Sequence, residues 1–120
     1  MLRSVLSGAA QDALALLGES KIADIAAMKV GAIMDRGTKK DFVDLFELAR
    51  NSFTVEKIFS FYEKKYGKLG NNIYSIIKSL QYFDDVEKTE MPRMIKKVSW
   101  QEVKDFFANE SMRLAKKYIS

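Results

Sequence analysis

The stretch SKIADIAAMKVGAIMDRGTKKDFVDLFELARNS, residues 20–52, decides the fold. In its first half Ile22, Ile25, Ala26 and Ile33 recur at helical spacing, because steps of four and seven residues return side chains to one face. Lys29 and Arg36 fall on the same stripe, so an otherwise apolar face carries two cations. Ser20 is the expected cap of this helix over Lys21–Arg36, Gly37 closes it and Thr38 is a natural cap for the next. From Lys39 to Arg50 a second periodic run buries Phe42, Val43, Leu45, Phe46 and Ala49, and Asn51 and Ser52 mark its end. Residues 20–50 therefore read as a helical hairpin.

The same signals continue outward. Thr54 caps a helix over Val55–Tyr66 with Ile58, Phe59, Phe61 and Tyr62 inward, and Gly67 and Gly70 bracket a turn. A partner helix is expected from Asn72 to Phe83, built on Ile73, Ile76, Ile77 and Leu80, which makes residues 54–83 a helical pair. Between residues 84 and 98 the charge density rises around Pro92, and the stretch reads as a connection in which Met91, Met94 and Ile95 can cover apolar surface. Ser99-Trp100-Gln101-Glu102 has the form of a capping box and opens a C-terminal helix over residues 99–119, with Asn109 as the point where it would kink. Toward the N-terminus, Val5, Leu6, Ala9, Ala13, Leu16 and Leu17 give residues 1–18 the pattern of one more amphipathic helix, ended by Gly18. The fold class is all-α, a compact bundle of five to seven helices in a single domain spanning residues 1–120, with no substantial sheet.

Composition supports this and narrows the chemistry. With 48% hydrophobic and 30% charged residues, the 120-residue chain is globular in usage, and its single proline leaves long helices almost without breakers. Cysteine and histidine are both absent, which removes disulfides, thiol nucleophiles, zinc sites and the usual general base. Any chemistry must run on carboxylates, lysine, arginine or hydroxyls. No apolar run reaches the roughly 20 residues that span a bilayer, so no membrane partner is expected, and a cysteine-free chain fits the cytoplasm. The net charge of +4 favours a polyanion only weakly. The lysine pairs 39–40, 64–65, 96–97 and 116–117 are scattered as solvated faces.

Of the charged groups, those between Asp24 and Asp44 stand out. Across a hairpin seam Lys29 and Arg36 would face Asp41 and Asp44, and Asp41 shares its side with Leu45 and Leu48. One reading is that these groups, with the Lys40–Asp44 pair one turn apart, are ion pairs that fix the register. The other is that Lys29 and Arg36 bind phosphate while Asp41 handles a proton or positions a hydroxyl. Spacing leaves both open. Trp100, Phe106, Phe107, Phe59, Phe61 and Tyr62 read as core, and Asp84, Asp85, Glu87 and Glu90 as a solvated acidic loop without the glycine-containing order of a calcium site.

Asp24-Ile25-Ala26-Ala27-Met28-Lys29, Ala32-Ile33, Arg36-Gly37, Lys40-Asp41 and Asp44-Leu45 resemble the later motifs of the AbiEii (abortive-infection) nucleotidyltransferase family. Tyr82-Phe83, Pro92, Ser99-Trp100 and Val103-Lys104 are similar to that family's helical tail, so the likeness covers residues 20–107. It implies the C-terminal helical part of a DNA polymerase β-type transferase. Such proteins are toxins of toxin–antitoxin or phage-defence systems, and some move a nucleoside monophosphate from a triphosphate to transfer RNA. Carried over, Lys29 would contact nucleotide phosphate, Arg36 and Lys40 would line the same pocket, Asp41 would be the later catalytic aspartate and Asp44 its supporting partner.

The family's glycine-serine motif and paired metal-binding aspartates do not occur upstream of Ser20. No metal ligands are therefore assigned, magnesium and nucleoside triphosphate are expected only for a complete family member, and the chain alone is expected to be inactive. Candidate partners are a second copy of the chain, a subunit carrying the missing transferase core, or an antitoxin, with transfer RNA implied by the resemblance alone. The alternative is a noncatalytic helical module for protein interaction or dimerisation. Under the nucleotide-site reading, Lys29→Met is expected to be neutral or stabilising, since sites gather charge at the expense of the fold.

Overall fold

The computed structural model describes residues 18–93 and 98–119. The expected N-terminal helix over residues 1–18 lies outside them except for Gly18, and so do Met94 and Ile95. The described residues form five α-helices, α1 (Glu19–Arg36), α2 (Lys39–Asn51), α3 (Val55–Tyr66), α4 (Leu69–Ser79) and α5 (Trp100–Tyr118), with one 3-10 turn at Val86–Lys88 before α5. None of them is in a strand, and the fold is an all-α bundle.

Helix boundaries follow local chemistry. Thr38 heads α2 with a full capping box: its hydroxyl accepts from the Asp41 amide, and the Asp41 carboxylate accepts from the Thr38 amide. Thr54 caps α3 by accepting from the Lys57 amide, and Gly67 ends it at φ 65°, a left-handed conformation that glycine takes without penalty.

Three expected boundaries move. Gly18, not Ser20, precedes the first turn of α1, and no side chain caps it. Helix α4 begins at Leu69 and not at Asn72, because the Glu63 carboxylate at the end of α3 accepts from the Leu69 amide at 2.9 Å and serves one of the donors a helix start leaves open. It also stops at Ser79, short of Phe83, which leaves the helix and packs on Phe42 and Trp100 at ring separations of 5.5 and 5.9 Å. Ser99 caps α5 by accepting from the Glu102 amide, but the reciprocal half of the box is not made. The Glu102 carboxylate takes Arg50 of α2 instead, at 2.9 Å. Helix α5 continues unbroken through Asn109.

Helix α1 packs chiefly on α3 and also lies along α2 and α4, while α5 closes the other side against α2 and α4. Between them Phe42 is fully buried and meets Phe83, Trp100 and Phe107 with ring centroids 5.4 to 6.0 Å apart, edge-on or tilted. Each such pair adds about 0.5–1.5 kcal/mol beyond the apolar area it buries. The aromatics read as core are core: Phe59, Tyr62 and Phe107 are buried, and Phe61, Trp100 and Phe106 pack partly buried against them.

The connection after α4 is tied down more tightly than a solvated loop. Val86 is buried, and Thr89 accepts from the amide of Lys39 at 2.9 Å while donating to the Val86 carbonyl. Glu87 accepts from the Trp100 indole and from Lys104, whose hydrogen bond above all holds its carboxyl below the ordinary range. On the far side Arg113 of α5 and Glu56 of α3 join by two hydrogen bonds. That contact, opposed by partial desolvation and aided by Lys117, lowers the Glu56 carboxyl to about 2.

Gly37 sets how closely the hairpin closes. Its φ of −75° is open to any residue, so the constraint is steric: a Cβ there would sit 3.1 Å from the Ile33 Cα and 3.3 Å from the Phe42 ring. Gly37→Ala should therefore lower stability by about 1–3 kcal/mol, the usual range for overpacking. Urea midpoints measure this, and an unchanged midpoint would mean that the seam yields more easily than its packing indicates.

Candidate functional site

The α1–α2 seam is built from its connection outward. The Gly37–Thr38 link places the last two turns of α1 beside the first two turns of α2. Lys29 reaches across, its ammonium 3.2 Å from Asp41 Oδ1 and 3.0 Å from Asp44 Oδ2. Lys40, one turn before Asp44 on the solvent side, sits 3.0 Å from the same Asp44 oxygen. The side chains of Lys29, Asp41 and Asp44 are only 21, 16 and 15% exposed. Two cations and two carboxylates thus form one neutral, half-buried cluster.

Both oxygens of Asp41 are engaged. Oδ1 takes Lys29, and Oδ2 accepts from the Thr38 amide and hydroxyl, each at 3.1 Å. Its role in the structure is to hold the α2 start and the α1 lysine together. For Lys29, burial works against the charged form, but the hydrogen bond to Asp44 and the charges of both aspartates outweigh it, and its pKa is raised above 10.5. The stabilisation from this charge is fully present below that ordinary value and is lost only as pH rises through the raised one.

Of the five residues singled out in the sequence, the seam brings four together: Lys29, Lys40, Asp41 and Asp44. Arg36 stays exposed at the end of α1 and makes no ion pair with the described residues. The sequence reading named Thr38 as a cap but missed its reciprocal bond with Asp41. The signal was Thr-x-x-Asp, a shorter-armed form of the usual Thr-x-x-Glu box. It also missed Thr89, which braces the first turn of α2 from 50 residues away, a pairing with no local signature.

The described residues do not fit a magnesium ion. No three carboxylates among them gather closely enough to hold a metal, and the two aspartates at the seam already share the Lys29 ammonium. The Lys29 ammonium has a third N–H beyond the two aspartate contacts, and the Arg36 guanidinium lies open to solvent. Among the described residues no helix is long and apolar enough to cross a membrane.

With Lys29 paired to both aspartates, the register-fixing reading expects Lys29→Met to cost stability, where the nucleotide-site reading expects a neutral or stabilising change. Methionine would leave Asp41 and Asp44 half-buried with Lys40 alone to balance them, and removing one partner costs more than an ion pair gains. A loss of about 2 kcal/mol is expected, below the 3–5 kcal/mol of a fully buried pair because the seam is partly solvated. Urea unfolding at neutral pH checks it: a marked loss means that these charges mainly hold the hairpin together, and a midpoint at or above that of the parent favours the nucleotide-site reading.

No family model matches the chain, and no solved structure does. An uncharacterized protein of Aquifex aeolicus (strain VF5) is 39% identical over 97 residues, which make up 80% of this chain and 43% of that protein. The chain thus spans less than half the length of the relative it matches.

Proposed function

We propose that this chain is the helical, nucleotide-facing part of an AbiEii-type nucleotidyltransferase toxin, and that the metal-binding carboxylates of the reaction reside on a separate stretch of polypeptide. The observation that carries the reading is the juxtaposition of Lys29, Lys40, Asp41 and Asp44 at one half-exposed seam. Lys29 comes from α1 and the other three from the first turns of α2, and the resemblance assigns them to a single pocket. The third N–H of Lys29 and the exposed guanidinium of Arg36 are the donors that would meet phosphate oxygens. A relative more than twice as long as the matched segment is consistent with a further part that supplies the core. By itself this chain binds the triphosphate weakly and transfers nothing, since phosphoryl displacement needs the charge stabilisation of the missing core. Transfer RNA as acceptor and an antitoxin as partner belong to this proposal through the resemblance alone.

A second reading, a noncatalytic interaction module, is favoured by one surface. Met34, Ser75, Lys78, Ser79 and Tyr82 line a shallow cleft of about 370 Å³ where α1 meets the end of α4, and Tyr74 and Tyr82 are 59 and 55% exposed beside it. Large aromatics at a rim of this kind suit protein contact.

One experiment separates the two. In a heteronuclear NMR titration of the chain with each nucleoside triphosphate at millimolar concentration, the nucleotide reading expects shifts confined to Lys29, Arg36, Lys40 and Asp41 and abolished by Arg36→Ala. An undisturbed seam, or shifts that survive Arg36→Ala, would contradict it and leave the interaction reading in front.

A further inference from the structure

None of the chain's 16 aspartates and glutamates falls between residues 64 and 83, which read KKYGKLGNNIYSIIKSLQYF. Lys64, Lys65, Lys68 and Lys78 do fall there, so this part of the surface carries charge of one sign. Two carboxylates reach it from outside the stretch, and both are engaged: Asp24 of α1 meets the Lys65 ammonium at 2.7 Å, and Glu63 accepts from the Leu69 amide. Lys64, Lys68 and Lys78 are exposed and pair with no carboxylate among the described residues.

Aromatic rings stand between these lysines. Ile73, Ile76 and Ile77 turn one side of α4 to the core, and Asn71, Tyr74 and Lys78 follow one another along the opposite side in steps of three and four residues. Tyr74 and Tyr82 are more than half exposed, and Tyr66 is 40% exposed. The Lys78 ammonium lies 5.8 Å from the centre of the Tyr74 ring, so a cation and a stacking face are presented side by side. At Lys78 the face runs into the cleft lined by Met34 and Tyr82.

We infer that the outer face of α4 and the α3–α4 turn bind a single strand of nucleic acid. Lysines along the face meet phosphates, and the tyrosines stack on bases that have no pairing partner. A duplex keeps its bases stacked on one another and would leave these rings unused. A protein partner fits the charge less well, because lysine is depleted at protein interfaces and no carboxylate lies within the stretch to offset its lysines. A strand needs no deep pocket, only a row of cations and rings, and α4 extends that row over about 16 Å. None of these residues belongs to the α1–α2 seam, and the inference holds whether or not the seam binds nucleotide.

Fluorescence anisotropy of the full chain with labelled oligoadenylate and oligodeoxyadenylate, each of about eight nucleotides, tests this. Saturable binding is expected, and the tighter of the two identifies the sugar. The logarithm of the binding constant should fall against the logarithm of salt with a slope of about −2 to −3, as three or four lysines displace counterions from a single strand. Tyr74→Ala should weaken binding about tenfold and leave that slope unchanged. Lys64→Gln with Lys68→Gln should make the slope shallower by about one. All three side chains are exposed, so the variants keep the fold, which circular dichroism checks. A duplex of the same length bound as tightly, or a Tyr74→Ala variant that binds like the parent, would overturn the inference by reducing the surface to unspecific charge. Absence of binding at low salt would overturn it outright and leave the face to a protein partner.

Discussion

An ammonium held between two carboxylates at a half-buried seam is the constraint on which the arrangement of the bundle turns. Lys29 meets Asp41 and Asp44 at 3.2 and 3.0 Å, and it does so from α1, the helix that also lies against α3 and α4. Fixing α1 against α2 therefore fixes the platform for the next two helices. The apolar stripe of α1 specifies that a helix packs there. Ridges and grooves alone leave neighbouring registers close in energy, and a charge that must find its partner excludes them.

The rest of the hairpin supports the same contact. Asp41 can serve Lys29 with one oxygen because its other is fixed by Thr38 in the capping box. Thr38 is in place because Gly37 lets α1 run into the Phe42 ring without a Cβ between them. Thr89 then braces the Lys39 amide from the connection before α5, whose Trp100 and Phe107 pack around the same Phe42. The seam, the connection and the aromatic core are thus coupled through the first turn of α2. A nucleotide at Lys29 would act on a group that the fold also uses, and function at this seam would come with a cost in stability.

The helical periodicity of Phe42, Phe46, Ile58, Phe59, Ile76 and Ile77 and the caps at Thr38, Thr54 and Ser99 made most of this fold legible in the sequence. What was not legible depended on side-chain partners that helical periodicity does not specify. Nothing around Leu69 shows that Glu63 will serve its amide, so the pattern alone puts the start of α4 at Asn72, three residues late. Nothing around Glu102 shows that Arg50 will draw its carboxylate out of a capping box. The departure of Phe83 from its helix likewise follows from an aromatic pocket assembled by α2 and α5. At the candidate site the spacing placed cations and carboxylates across a seam but left their meaning open. The contacts show which charges pair, and the resemblance supplies the chemistry proposed for them.

The central claim is that Lys29 and Asp41 act on each other and not merely side by side. A double-mutant cycle of Lys29→Met and Asp41→Asn, followed by urea unfolding, isolates that term from the separate effects of each change. A coupling of about 1–2 kcal/mol is expected for a half-buried charged pair. Additivity within about 0.3 kcal/mol would show that the seam is held by apolar packing alone and would contradict the account.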